Sequence, residues 1–267
     1  MIVDIFSRTE LLTHEQSIRD LFHDSFDREL PLDLWRWYYS DNPAGPACVS
    51  LYFEEDRLIG HYAAIPVTLS ESNNAVRGYL SMTTMVHPLG RGRGLFRELA
   101  SHVNQMLADD GASLICGFPN KNSAPGFAKY LGWKLLDPDL VVDLPGKELL
   151  SNPDLTDLLT SNSGIQWNRL DSAQINWRVS KPGANYAMSD GLITKFYDGV
   201  RNILMLEPNG LNAIEHNAIY RVLVPHEFQL ASLESEKQFA YQFGARVFDP
   251  QFDHSVVKRE PILSDLF

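Results

Sequence analysis

Cysteine is nearly absent from this sequence, with Cys48 and Cys116 the two examples in 267 residues. Two thiols make neither a disulfide framework nor a metal set, and Cys116 lies in an apolar run where cysteine serves as a small core residue. Long hydrophobic runs are missing as well. No stretch approaches the ~18 apolar residues of a membrane span, and Met1-Ile2-Val3-Asp4-Ile5 places an acid where a secretory signal would carry basic residues. A cytoplasmic protein without a membrane partner is expected. Positive charge is scarce: 23 Lys and Arg face 34 Asp and Glu, for a net charge of −11. That balance argues against broad nucleic-acid binding, while admitting a cationic substrate and a local anion site. Two nucleotide motifs are also lacking. There is no Gly-x-x-x-x-Gly-Lys-Ser/Thr, and no Gly-x-Gly-x-x-Gly followed by an acid about 20 positions later.

What is present is a junction at Val86-His87-Pro88-Leu89-Gly90-Arg91-Gly92-Arg93-Gly94-Leu95-Phe96. An apolar strand ends there, a glycine-rich turn follows, and a helix begins. Gly92 and Gly94 can take backbone angles closed to other residues, so successive N–H groups can converge on an anion at the positive end of the helix. Arg91 and Arg93 add forked donors suited to phosphate oxygens. An ordinary strand-to-helix corner with solvated arginines is the plainer alternative for such a turn.

Around this junction the pattern is mixed. Helical spacing runs from Leu11 to Tyr39, ending in the aromatic cluster Leu34-Trp35-Arg36-Trp37-Tyr38-Tyr39. Aromatic residues at that spacing are ordinarily core, and their ring faces also suit a sugar or base, which makes Trp37 and Tyr39 candidate substrate contacts. A meander follows, with strands at Ala47–Phe53, Leu58–Val67 and Val76–Val86. Leu95, Leu99, Val103, Met106 and Leu107 mark one face of a helix. The run Ala112–Phe118 fits a buried strand parallel to the one ending at Val86, because a helix joins the two. A helix at Asn122–Leu131 and a strand at Trp133–Val142 complete the unit.

Turn formers from Asp143 to Gly164 place a boundary, giving expected domains at 1–145 and 146–267. The second half reads as strands at Ile193–Tyr197, Ile203–Glu207 and Ile219–Val224, a helix at Leu230–Phe243 and a strand at Arg246–Phe248. That order coarsely repeats the first half. Trp177-Arg178-Val179-Ser180-Lys181-Pro182 also echoes Trp37-Tyr38-Tyr39-Ser40-Asp41-Asn42-Pro43, so a tandem duplication is expected, its second copy without a glycine-arginine loop.

The run Val86-x-Pro88-x-x-Arg91-Gly92-Arg93-Gly94-Leu95 resembles the pyrophosphate-loop motif of the GNAT N-acyltransferase superfamily, Arg/Gln-x-x-Gly-x-Gly/Ala. Phe96 stands where that superfamily usually has Gly or Ala. Gly117-Phe118-Pro119-Asn120-Lys121-Asn122-Ser123, with Phe127 and Leu131-Gly132-Trp133-Lys134, resembles the segment that closes the same family's core. The resemblance implies an α/β (α+β) fold of tandem GNAT-like domains, a mixed central sheet flanked by helices, and a degenerate second copy shaping the acceptor site. It implies acyl-coenzyme A as co-substrate, with no metal, held by Met85, Val86, Arg91, Gly92, Arg93, Gly94, Leu95, Phe96, Asn120 and Asn122. The expected acceptor is a primary amine, with a nucleotide-linked amino sugar of a surface-polysaccharide pathway as the finer expectation. A peptide, polyamine or drug amine is the alternative, and an acyl-coenzyme A sensor without turnover is another. A homodimer is compatible with all of these.

Acyl transfer to an amine needs a neutral amine, a donor for the oxyanion, and alignment. The resemblance puts the oxyanion donor in the backbone at Met85-Val86. The family's usual carboxylate is missing from Ser81-Met82-Thr83-Thr84-Met85, which leaves Thr84 as a substrate contact. Its usual tyrosine acid is missing too, with Phe127 or Ala128 at that position and Tyr130 out of register. His61, able to titrate near neutrality, is the candidate base. His216 and His226 are alternatives from the second half, and Asn120 or Asn122 could equally cap the helix containing Phe127.

Overall fold

A computed structural model describes residues 1–72, 74–229, 235–253 and 257–264. The chain begins with β1 (Ile2–Ile5), α1 (Arg8–Leu12), α2 (Glu15–Phe26) and α3 (Leu32–Tyr39). The meander β2 (Cys48–Glu54), β3 (Arg57–Glu71) and β4 (Asn74–Val86) follows, then α4 (Leu95–Asp109), β5 (Leu114–Gly117), α5 (Ala124–Tyr130) and β6 (Lys134–Leu135). Next come β7 (Asp139–Pro145), α6 (Gly146–Ser151), α7 (Pro153–Thr160), β8 (Gln166–Trp167) and α8 (Ser172–Arg178). The remainder is β9 (Asn185–Ser189), β10 (Leu192–Tyr197), β11 (Val200–Leu206), β12 (Ile219–Pro225), β13 (Glu236–Tyr241), β14 (Gly244–Val247) and α9 (Pro261–Ser264). Among the described residues no helix is long and apolar enough to cross a membrane.

Two mixed sheets result. The first has the order β1-β2-β3-β4-β5-β14-β6, with β8 on β3, and the second has β13-β7-β12-β11-β10-β9. Both contain the same pattern of directions. β2, β3 and β4 alternate antiparallel, β4 and β5 run parallel, and β14 and β6 continue antiparallel. In the second sheet β9, β10 and β11 alternate, β11 and β12 run parallel, and β7 and β13 continue antiparallel. The penultimate strand is exchanged in each case: β7, which follows β6 in sequence, lies in the second sheet, and β14, which follows β13, lies in the first. A single cut at 145/146 therefore does not separate the two sheets.

Two sequence expectations change here. The strand expected over Trp133–Val142 is two strands, β6 and β7, in different sheets. Pro138 between them has no N–H to continue a ladder. The helix expected over Leu230–Phe243 is contradicted where it can be seen, because β13 pairs with β7 over Glu236–Tyr241. Phe239 and Tyr241 belong to a period of two, which a window of mixed polar and aromatic residues disguised. The start of that segment, 230–234, lies outside the described residues.

The amphipathic face of α4 is buried, with Leu99, Val103 and Leu107 in one cluster with Tyr62, Ala64, Tyr79 and Ile115 of the first sheet and Leu95 buried near the helix start. Each such side chain contributes about 1.5–3 kcal/mol on burial. The opposite face packs on α2 and α3, with Ile18, Leu21 and Trp35 all buried. A seam between the halves is made by α3 and α8. The Trp37 and Trp177 rings stack at 4.6 Å and 13°. Trp37 Nε1 donates to the Trp177 carbonyl at 2.7 Å, and Trp177 Nε1 donates to the Trp37 carbonyl at 2.9 Å. The two tryptophans of the sequence echo thus meet in a reciprocal contact.

Candidate active site

The turn after β4 is an open cradle. Pro88–Gly90 forms one turn of 3-10 helix, and Gly92 and Gly94 take φ of +77° and +81°. Nothing lies within 4 Å of where a Cβ would stand at either glycine, so they are there for backbone angle and not for tight packing. Gly94 is the N-cap residue of the 15-residue α4, and no side chain caps that helix. Its first N–H groups and its positive dipole end therefore face the turn. Arg91 Nε donates to the Val86 carbonyl at 3.4 Å. Arg93 is held differently, its guanidinium donating twice to Glu54 at 3.2 and 2.9 Å.

Beside the cradle the parallel strands part. β4 and β5 pair at Gly78/Leu114, Tyr79/Ile115 and Leu80/Cys116, and no further. The departure has a local cause in β4. The β3/β4 register slips between His61/Met85 and Ala63/Met82, and Thr83 inside that bulge has φ +44°, a left-handed angle costly for a β-branched residue. The gap is a cleft of about 510 Å³ lined by Ser81, Met82, Thr83 and Thr84 on one side and Gly117, Phe118, Pro119 and Asn120 on the other. Phe26, Phe96, Phe127 and Trp133 close it, and among the described residues no charged side chain or histidine lines it. The His87 N–H donates to the Ile59 carbonyl of β3 at 2.9 Å. Strand alternation then turns the N–H groups of Val86 and Thr84 to the open edge, and that of Met85 to β3.

Residues 11–136 match the family model for the acetyltransferase (GNAT) domain. These residues are a GNAT domain. Coenzyme A-dependent acyl transfer to an amine is its chemistry, and acetyl-coenzyme A is the co-substrate of the acetyltransferases of that family. Three solved structures share the fold over both sheets. A probable N-acyltransferase of unknown function from Enterococcus faecalis V583 is 11% identical, with TM-score 0.65 over 94% of this chain and 74% of its own. A GCN5-related N-acetyltransferase from Kribbella flavida is 13% identical, with TM-score 0.62 over 93% and 72%. Eis1 from Mycobacterium abscessus is 12% identical, with TM-score 0.61 over 93% and 74%. No curated protein sequence matches.

The GNAT domain brings some candidate residues to the cleft and keeps others from it. Arg91, Gly92, Arg93 and Gly94 form the cradle, and Thr84, Phe96, Asn120 and Asn122 line the cleft. Phe96 fills its floor, 5.1 Å from Phe127 edge to face. Asn120 has a local task, its Oδ1 accepting from the N–H groups of Asn122 and Ser123 at 2.9 and 3.1 Å ahead of α5. Leu95 contributes a buried side chain to the core, leaving its backbone for an anion.

Four expectations need correction. His61 is fully buried and lines no part of the cleft. Its Nδ1 must donate to the Thr83 carbonyl at 2.7 Å, so Nε2 accepts from the Tyr39 hydroxyl at 3.1 Å. With both nitrogens engaged and burial pushing its pKa down to about 4, it has no route to an amine proton. Tyr39 is buried beneath it, its phenol pushed up by burial, and Trp37 is buried in the α3–α8 seam. Neither can touch a substrate in the cleft. Met85 is buried, and the alternation that sends the His87 N–H to β3 sends the Met85 amide there as well, so it offers the cleft no donor.

The lining residues the sequence reading missed are Ser81, Thr83 in the bulge, Phe26 and Phe118. A serine-threonine run in an otherwise apolar strand was the available sign. Among the described residues no group of His, Cys, Asp or Glu is arranged to hold a metal.

Proposed function

We propose that this chain acylates the amine of an amino sugar, nucleotide-linked in its natural form, using acyl-coenzyme A bound along the open edge of β4. The observation that carries the reading is the uncharged cleft between β4 and β5 with an anion cradle at its mouth. The N–H groups from Gly92 to Phe96, with Arg91, would hold the pyrophosphate. The pantetheine arm would pair with Val86 as a strand would, leaving the Thr84 N–H for the thioester carbonyl. The repeated strand order supports a tandem arrangement, one unit holding the acyl donor and the other shaping the acceptor site.

Chemistry in such a cleft is positional. The amine nitrogen attacks the thioester carbon, the carbon–sulfur bond breaks, coenzyme A leaves as thiolate, and the ammonium proton passes to water. Alignment supplies up to ~7–11 kcal/mol of the barrier, and one well-placed oxyanion donor about 3–4 kcal/mol. With no carboxylate in the lining, the amine must arrive neutral. Aromatic side chains around the cleft suit the face of a sugar ring. Thioester turnover with free and nucleotide-linked amino sugars, polyamines and peptide N-termini tests the reading. Preference for an amino sugar supports it, preference for a polyamine or peptide moves the acceptor class, and coenzyme A binding without turnover on any amine makes the protein a sensor.

A further inference from the structure

His87 opens the cradle, and its ring takes no part in the chemistry described above. It is the residue after β4 and is 7% exposed. Backbone and side chain are both tied. Its N–H donates to the Ile59 carbonyl at 2.9 Å, joining the strand end to β3, and its carbonyl accepts from the Gly90 N–H at 2.8 Å. Its Nδ1 accepts from the Leu89 N–H at 3.2 Å, which makes the side chain the N-cap of the 3-10 turn Pro88–Gly90.

These bonds divide the loop in two. Leu89, Gly90 and Arg91 spend their N–H groups inside the turn, on His87 Nδ1, the His87 carbonyl and, at 3.3 Å, the Pro88 carbonyl. Among the described residues no protein bond engages the N–H groups of Gly92, Arg93 or Gly94, which are therefore the ones left for an anion. The direction of the second set follows from the shape of the first.

The ring is held in the form this cap requires. A neutral imidazole has one acceptor nitrogen. With Nδ1 committed to Leu89, Nε2 carries the proton and faces Asp24 Oδ2 at 3.6 Å, while Asp24 pairs with Arg57 at 3.0 Å. Arg57 Nη2 also lies 2.9 Å from Nε2. A bond donated there would need the other tautomer, which sets two N–H groups against each other at Leu89. Arg57 has Asp24 as a partner, whereas the Leu89 N–H has no second acceptor among the described residues, so the first arrangement strands fewer donors.

We infer that His87 is a positioning residue of the cradle. By accepting from the Leu89 N–H it sets the turn that leaves the Gly92–Gly94 N–H groups directed at the coenzyme A pyrophosphate, and it acts through that turn and not by a bond of its own to the cofactor. The inference rests on the reading of this loop as the coenzyme A cradle. The chain holds a second example of the device. Asn42 precedes Pro43 as His87 precedes Pro88, and its Oδ1 accepts from the Ala44 N–H two residues on at 3.0 Å. An asparagine at position 87 can therefore supply the cap without the ring.

Calorimetry with coenzyme A on the full chain tests this. His87→Ala should weaken binding about tenfold, and His87→Asn no more than about threefold. His87→Phe keeps the bulk of the ring without an acceptor and should match His87→Ala; if His87→Ala does not fold, the Phe and Asn variants decide. In the kinetic arm, two thioesters are compared on any amine the enzyme accepts. The kcat/KM preference for acetyl-coenzyme A over acetyl-pantetheine, which lacks the pyrophosphate, should fall about tenfold in His87→Ala and persist in His87→Asn. A merely structural loss would lower both thioesters together. Coenzyme A affinity unchanged in His87→Ala, or lowered equally in His87→Ala and His87→Asn, would overturn the inference, as would an equal fall with both thioesters. If the wild type binds no coenzyme A, the cradle reading itself fails and takes the inference with it, whereas wild-type binding with unaltered variants removes His87 alone.

Discussion

The two sheets part at corresponding strands, β4 from β5 and β11 from β12, yet only one parting leads to an open cradle. β11 and β12 pair at Arg201/Tyr220 and Asn202/Arg221 and then separate. Even the next residues agree in outline: Val86-His87-Pro88-Leu89-Gly90 and Leu206-Glu207-Pro208-Asn209-Gly210 both end a strand and enter a 3-10 turn. After that they differ. Arg91 to Gly94 lead into α4, whereas the turn Pro208–Ala213 is followed by β12 at Ile219 with no α-helix between. The glycines differ in kind as well. A Cβ at Gly210 would stand 2.2 Å from the Gly191 carbonyl, while one at Gly94 would meet nothing within 4 Å. One glycine permits close packing and the other permits an exposed backbone angle. Divergent strands are thus a property of this topology, and an anion site requires in addition the loop angles and a helix N-terminus behind it.

The largest effect should come from breaking what ties the halves together. Trp37→Ala and Trp177→Ala each remove a buried stacked ring and leave the partner's main-chain carbonyl without its indole donor, a loss of about 3–5 kcal/mol. The reciprocal geometry predicts equal losses, measurable by denaturant unfolding. A stability unchanged in either variant would show that the seam is incidental. Next in size is the cradle itself. Arg91→Ala with Gly94→Ala should weaken coenzyme A binding on the order of 10²-fold, one part from a left-handed angle forced on alanine and one from a lost charged donor. Gly210→Ala, by contrast, should destabilise the second sheet without changing coenzyme A affinity, and calorimetry should count one coenzyme A per chain. Two equivalents would abolish the distinction between the partings.

Much of the first sheet was legible because its signals are local. A period of two through β2, β3 and β4, then a period near four through α4, then a glycine-arginine loop between them, can each be read within a dozen residues. The exchanged strands could not be read that way. β7 and β14 each pair with strands from the other half, and nothing in Asp139–Pro145 or Gly244–Val247 states which sheet they join. The aromatic cluster misled for a related reason: Trp37 and Tyr39 fit a sugar-stacking surface by composition, and only the seam with Trp177 and the bond to His61 show them buried. Nor could His61 be placed from sequence. Its neutrality comes from burial, which outweighs the opposing pull of the Thr83 carbonyl, and its tautomer is set by that carbonyl 22 residues away in the chain.

His61 offers a sharper test of what the bulge contributes to the first parting; the second parting has a register slip of its own, between Ile193/Met205 and Thr194/Ile203. As the donor that fixes the Thr83 carbonyl, it is a positioning residue, so His61→Phe should lower kcat by roughly tenfold with the inflections of the pH profile unmoved, short of the ~10²–10⁴ expected for a lost general base. The sign of its stability effect follows from the depressed pKa. Between about 6.5 and about 4 the unfolded chain takes up a proton that the folded one refuses. Wild-type stability should therefore fall as pH drops through that window, with a slope approaching ~1.4 kcal/mol per pH unit, and His61→Phe should flatten it. A steeper collapse of kcat with loss of a pH inflection would return His61 to the reaction.

The smallest expected effect separates the two arginines of the cradle. Arg93 donates twice to Glu54, which holds that carboxyl below its usual range, whereas Arg91 reaches back to the strand end through Nε alone. Arg91→Ala should thus cost about tenfold in coenzyme A affinity and Arg93→Ala no more than about threefold, as befits an exposed pair. Glu54→Gln should release Arg93 toward the anion and tighten binding by about twofold at low salt, a gain that fades when the Debye length shortens to ~3 Å near 1 M salt. If Glu54→Gln weakens binding instead, the pair is what shapes the loop, and Arg93 acts through Glu54 and not through the pyrophosphate.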